Sequence, residues 1–245
     1  MRDYTGAMKP KRAAWADAFP DVRILAPESG VKRHPDYPSA KTGDAEAAGR
    51  LVEALVRRDA IDELKLALPP GAILASVHAV EATGVNAIPE ALANLLGLRL
   101  GLQVDASIVQ TNVVNHTGAD GFGRLARQAL FAGDVQHGAS YVIVDDFVGQ
   151  GGTMANLRGY LLEQGATVAR AVALTGKPHS AKIQLSPQRL AALRSKHGQL
   201  EDWWRERFGF GFDALTESEA RYLERTENAD TVRDRISAAE QAGDG

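Results

Sequence analysis

Between Gly71 and Gly176 the apolar positions follow two alternating rhythms. AILASVHAV (Ala72 to Val80) is a short apolar run of strand type, followed by a glycine-containing loop, EATGVN. IPEALANLLGLRLG then has the helical period, with Pro89 acceptable in a first turn. ASIVQTNVV (Ala106 to Val114) is rich in β-branched residues and predicts a strand. HTGADGFG predicts a loop and RLARQALF a short helix. YVIVDD is the strongest strand signal, an almost unbroken apolar run of the kind buried on both faces of a parallel sheet. TMANLRGYLLEQG predicts a helix closed by Gly165, and TVARAVALTG the next strand. Strands and helices alternating over short links predict βαβ units, and so an α/β fold with a mostly parallel sheet flanked by helices.

The flanks have a different texture. PESGVKRHPDYPSAKTGD (Pro27 to Asp44) mixes Pro, Gly, Ser and charge, and predicts irregular chain. Asp44 stands as the N-cap of a helix over AEAAGRLVEALVRR, and PPG at Pro69 to Gly71 ends the helical segment after it. Beyond Lys177, SPQRLAALRSKHG opens with a Ser-Pro helix start, and Thr216 with Glu219 forms a capping box before another helical run. The division expected is an N-terminal segment with helices over 1–70, an α/β core over 71–176 and a C-terminal helical extension over 177–245 packed on that core.

Composition adds mainly exclusions. The 245 residues are 44% hydrophobic and 24% charged with net charge −3, which leaves no global field drawing the chain to nucleic acid or anionic lipid. There is no cysteine, so disulfides, thiolate catalysis and cysteine-ligated zinc are excluded together. No apolar run is long enough to span a bilayer, and MRDYTGAMKPKRAAWADAFPD lacks the continuous apolar segment of a secretory signal. The expected location is the cytoplasm. The histidines show no metal spacing of the H-E-x-x-H type, and Ser76 and Ser180 lack a nucleophile-elbow context.

The chemistry concentrates in VIVDDFVGQGGT. Asp145 and Asp146 follow the buried strand directly, at the carboxyl end where open parallel sheets bind ligands. The loop Gly149-Gln150-Gly151-Gly152-Thr153 then leads into a helix whose N-terminal amides suit an anion. It lacks the GK[ST] of a P-loop and the spacing of a dinucleotide loop. Carboxylates repel a phosphate but accept hydrogen bonds from a diol. A ligand with a phosphate at one end and vicinal hydroxyls a few ångströms back satisfies both, as a ribose 5-phosphate unit does.

At these residues the chain resembles the type I phosphoribosyltransferases, whose signature is a buried aliphatic strand, two adjacent acids and a Thr/Gly-rich loop before a helix. The strand followed by GVNAIPEALANLLG and a hood-like region ending RQALFAG is similar to the competence-associated (ComF-like) members. The resemblance implies 5-phosphoribosyl 1-diphosphate as ligand, bound with Mg²⁺ carried by the diphosphate, and transfer to a nitrogenous, nucleobase-like acceptor. Asp145 and Asp146 would hold the ribose hydroxyls, and Val148, Gly149, Gln150, Gly151, Gly152 and Thr153 would wrap the 5-phosphate. Ser76, Val77, His78, Glu81, Thr83 and Gly84 would lie where the family binds pyrophosphate. Arg124 and Arg127 are the hood cations. The resemblance also implies a homodimer.

Two departures stand out. Gly149 and Gln150 replace the family's hydroxyl-bearing pair, and SVHAVEATG has neither Arg nor Lys while carrying Glu81. The second favours an alternative, a non-catalytic regulator that keeps the phosphoribosyl pocket. His78, Glu81 and Asn86 each also have a plain structural reading, since a lone histidine at a strand end is more often just hydrogen-bonded. Trp203, Trp204, Phe208, Phe210 and Phe212 suit base stacking, but such a cluster more often anchors a helix to a core. KPKR (Lys9 to Arg12) and VKRHP are expected to be solvated arms, with Lys32, Arg33 and Lys41 able to form a cationic rim.

Overall fold

The computed structural model describes residues 9–15, 18–77, 80, 81, 84–112 and 120–242, with the backbone alone at 80, 81 and 84. In chain order the elements are β1 (Arg23–Ile24), α1 (Glu28–Arg33), α2 (Tyr37–Lys41), α3 (Ala45–Leu55), α4 (Arg58–Ala67), β2 (Ile73–Ser76), β3 (Val80–Glu81) and β4 (Gly84–Val85). They continue with α5 (Ile88–Leu100), β5 (Gln103–Asp105), β6 (Val109–Gln110), α6 (Gly121–Ala126), β7 (Phe131–Ala132), β8 (Ser140–Val148), α7 (Gly152–Glu163) and β9 (Thr167–Gly176). The C-terminal helices are α8 (Pro187–His197), α9 (Glu201–Phe208), α10 (Glu217–Glu224) and α11 (Ala229–Gln241).

Five strands form a parallel sheet in the order β1-β9-β8-β2-β5, as the alternation predicts. Successive residues of β8 serve opposite faces. Val142 and Val144 pack with Leu51, Leu92 and Leu96 of α3 and α5, whereas Tyr141 and Ile143 pack with Leu157 and Leu161 of α7. A strand covered on both sides needs apolar residues at every position, which is why YVIV carries no alternation.

Three local expectations change. The edge strand of the sheet is Gln103–Asp105, not the run from Ala106 to Val114, part of which lies outside the described residues. The Asp105 carboxylate accepts from Ser107 N and Oγ at 2.9 and 2.7 Å, a local turn that ends the strand, and Val109–Gln110 pairs instead with β7 in a separate hairpin. The stretch from Pro27 to Asp44 is not irregular. Its prolines start helices rather than break them, with Pro27 at the N-cap of α1 and Pro38 in the first turn of α2. The hood helix begins earlier than RLARQALF suggests, because the Asp120 carboxylate accepts from Gly123 N at 2.7 Å and caps it there.

The C-terminal helices enclose a third apolar cluster in which Trp204, Phe208, Phe210 and Phe212 are buried with Leu193 and Leu223. The aromatic group is therefore an anchor. Phe122 and Leu125 of α6 join the same cluster, which fixes the hood helix to the extension. The capping box of α10 forms as expected, with Thr216 N donating to Glu219 and Glu219 N to Thr216 Oγ1. Among the described residues no helix is long and apolar enough to cross a membrane.

The arm at Lys9 to Arg12 is not solvated. Lys9 reaches the Glu206 carbonyl and Lys11 pairs with Glu163 at 2.6 Å. The Arg12 side chain is fully buried and makes a two-pronged ion pair with Glu219 at 2.7 and 2.8 Å. Its other contacts are the side chains of Asn156 and Gln128 and the carbonyls of Ala214 and Gly152. Removing one member of such a pair strands the other charge in the interior. Arg12→Ala should lower stability by about 3–5 kcal/mol in urea unfolding. Lys11→Ala, on the half-exposed pair, should cost about 1 kcal/mol or less. Equal losses would contradict this assignment.

Candidate functional site

The carboxyl ends of β8, β9 and β2 open into a cleft of about 590 Å³. Asp145, Asp146, Gly149, Gln150, Gly151, Gly152 and Thr153 all line it, together with Val77, Arg124 and Arg127. Ser76 and Val148 do not. Both are buried behind the cleft wall, Val148 in the apolar cluster beneath the loop. Glu81 and Gly84 belong to the β3–β4 hairpin, and His78 and Thr83 lie outside the described residues.

The two acids differ. Asp145 is 8% exposed and accepts from Asp146 N at 2.8 Å. Burial first, and then the neighbouring charge of Asp146, push its carboxyl well above the usual carboxylate range. Asp146 is less buried and pairs with Lys41 Nζ at 3.1 Å. One strand end thus offers a carboxyl biased toward its neutral form beside a second carboxyl held by a lysine.

Gly151, with φ +80°, is the N-cap of α7 and turns the loop in a conformation that disfavours side chains. No side chain caps the helix, Thr153 included, so its first amides stay available to a ligand. Beneath the turn, Thr216 Oγ1 donates to the Gln150 carbonyl at 2.6 Å. A Cβ on Gly152 would stand 2.6 Å from Glu219 Oε1 and 3.2 Å from Arg12 Nη2, so the backbone lies directly on the buried ion pair. Pairing with Arg12 matters electrostatically. A lone carboxylate under the helix N-terminus would repel an anion, whereas the neutralised pair does not.

Several cleft residues carry no sequence motif. Lys32, Tyr37 and Lys41 come from α1 and α2, whereas Arg33 turns back to the Ser29 carbonyl. Gln110 comes from the β6 hairpin, and Ser218, Glu219, Arg221, Tyr222 and Arg225 from the C-terminal extension. Only the helical spacing of Ser218, Arg221, Tyr222 and Arg225 hints at a shared face, and nothing in it says which element that face meets. Among the described residues no group of three or more His, Asp or Glu side chains is gathered to hold a metal.

No family profile matches the chain. It is 41% identical over 241 residues to Protein TraN of Escherichia coli, covering 98% of this chain and 53% of that protein. It is 43% identical over 154 residues to an uncharacterized protein of Haemophilus influenzae, covering 62% of this chain and 34% of that one. The chain therefore spans about half the length of one curated relative and a third of the other. Among solved structures it is similar to an adenine phosphoribosyltransferase from Thermoanaerobacter pseudethanolicus, at TM-score 0.34 and 19% identity over 56% of this chain and 71% of that one. A second adenine phosphoribosyltransferase gives 0.36 and 12% over 56% and 73%. At those scores the likeness carries no argument, and the site stands on its own geometry.

A raised carboxyl pKa has a definite sign in stability. The contribution of the Asp145 proton is complete below the unfolded value of about 4 and is lost as pH rises through the raised folded value. The stability of the native chain relative to Asp145→Asn should therefore fall as pH increases from about 4. Urea midpoints across a pH series measure it, and a flat difference contradicts the burial of this carboxyl.

Proposed function

We propose that the cleft binds the ribose 5-phosphate unit of 5-phosphoribosyl 1-diphosphate, and that the protein is a phosphoribosyltransferase acting on a nitrogenous, nucleobase-like acceptor. The observation that carries this reading is that the Asp145–Asp146 pair and the uncapped start of α7 open into the same cleft. The loop amides from Gly149 to Thr153 hold the 5-phosphate, with the helix N-terminus adding its partial positive charge. Asp146 accepts from a ribose hydroxyl. Asp145, biased toward its neutral form, can donate to one as well as accept.

Lys41 answers the missing cation of the segment from Ser76 to Gly84. Its helix is tied to the far end of that segment by Ala87 N donating to the Ala40 carbonyl at 3.1 Å. A cation from α2 is thus brought close to Ala87, just past a segment that has neither Arg nor Lys, and a departing diphosphate there needs such stabilisation. Mg²⁺ fits this donor set as an ion carried by the ligand, since among the described residues no cluster of His, Asp or Glu side chains is gathered to hold one. Bound that way, it would neutralise charge on the diphosphate, and Asp146 is the carboxylate available to its water shell.

The cytoplasmic location expected from the sequence belongs to the same reading, and the homodimer follows from the family resemblance alone. The alternative of a regulator that binds the ligand without turnover is favoured by one feature, the absence of Arg and Lys between Ser76 and Gly84. Pyrophosphate release across a panel of nucleobases separates the two. In calorimetry with 5-phosphoribosyl 1-diphosphate and Mg²⁺, Asp145→Asn combined with Asp146→Asn should weaken binding by more than about tenfold while the chain remains folded. An unchanged Kd rules out the diol contact.

A further inference from the structure

The charges lining the cleft fall into two groups. On the side of α1 and α2 the ion pairs are Lys32 with Glu28 at 2.5 Å and Lys41 with Asp146, and the Lys177 ammonium group lines the cleft there as well. On the side of α6 and α10 the acid is Glu219, which Arg12 already neutralises from beneath. There Arg124, Arg221 and Arg225 face the cleft, and among the described residues no carboxylate lies within ion-pair distance of any of them.

These arginines belong to one wall. Arg221 on α10 and Arg225 at its C-cap are one turn apart, and Arg221 Nη2 donates to Ser218 Oγ at 3.0 Å. Helix α6 packs on α10 through Phe122 and Tyr222, whose rings meet edge to face at 5.0 Å, so Arg124 joins the same surface. Its guanidinium lies over Gly149, with Nη1 2.7 Å from where a Cβ there would stand. Among the described residues Arg124 Nε is buried without a hydrogen-bond partner, and so are the side-chain oxygens of Gln110 and Gln150 in the same cleft. Buried polar atoms in native proteins are normally hydrogen-bonded, so an empty donor among empty acceptors is the imprint of a ligand with both kinds of group.

Resting on the reading above, we propose that the acceptor is negatively charged: a flat nitrogenous ring bearing a carboxylate or a phosphate. The anionic group binds Arg124, Arg221 and Arg225, and the ring N–H groups bind the oxygens of Gln110 and Gln150. Tyr222 lines the same wall and offers an aromatic face to the ring. Guanidinium favours planar, two-pronged recognition of such anions. The leaving diphosphate does not need this wall, because its cation, Lys41, stands with the opposite group.

The test uses the full chain saturated with ribose 5-phosphate, pyrophosphate and Mg²⁺, which fill the sugar site without turnover. Calorimetry then compares matched probes, nicotinate with nicotinamide and orotate with uracil for a carboxylate, and phenyl phosphate with phenol for a phosphate. At least one charged probe should bind about tenfold more tightly than its neutral partner, and the arm in which this happens identifies the anion. Arg221→Gln combined with Arg225→Gln should collapse that ratio toward one, with the neutral probe serving as the control for folding.

The proposal is overturned if no charged probe surpasses its neutral partner or if the preference survives in the double variant. It is equally overturned if the preference exists only without the sugar ligands, since the wall would then serve the diphosphate. Failure of 5-phosphoribosyl 1-diphosphate to bind native protein would defeat the parent reading alone. The charge preference, measured without sugar ligands, would in that case still decide whether the wall is an anion site.

Discussion

The buried pair of Arg12 and Glu219 is the contact on which the other parts of the molecule converge. Arg12 belongs to the N-terminal arm and Glu219 to the capping box of α10. The guanidinium between them also holds Asn156 of α7, Gln128 beyond α6 and the Gly152 carbonyl at the loop. A desolvated guanidinium persists only when its donors are satisfied, so this one requires all of those segments to be in place together. The glycine turn rests on the pair, which couples the geometry of the loop to the docking of the C-terminal extension. The same arrangement neutralises the carboxylate beneath a helix start that is otherwise ready for an anion.

A second constraint comes from the strand ends. The continuous apolar run of β8 ends at Val144, where its pairing with β2 also ends, and two acids follow while the pairing with β9 continues to Val148. Asp145 remains within the interior and Asp146 turns to Lys41. Neighbouring residues of the same type thus acquire different surroundings from their different burial and partners. The cleft around them is built from the sheet ends, the two short helices after β1, the β6 hairpin, α6 and the C-terminal extension. Its charge is correspondingly segregated, with lysines and their carboxylate partners toward α1 and α2 and, among the described residues, guanidinium groups without a carboxylate partner toward α10.

Much of this was legible along the chain. The strands YVIVDD and TVARAVALTG, the helix between them, the Asp44 cap and the Thr216–Glu219 capping box are local features set by periodicity and short-range hydrogen bonding. The Asp145–Asp146 pair and the loop from Gly149 to Thr153 were legible for the same reason, being contiguous. The helices after Pro27 were not, because proline both breaks and starts helices and only the packing of Val31 and Ala40 selects the second. The edge strand was misplaced because β-branched residues at Ile108 and Val109 suit a hairpin as well as a sheet.

By itself the sequence determined the parallel α/β core and the position of one acidic pair beside one glycine turn, since each depends on residues near one another in the chain. Tertiary structure alone decided that Arg12 is buried, that Lys41 pairs with Asp146, and that Arg221 and Arg225 share a cleft with a loop some seventy residues earlier. A charged residue in a polar stretch reads the same whether it ends in solvent or in the interior. The difference is made by long-range packing, which sets its dielectric surroundings and its partner.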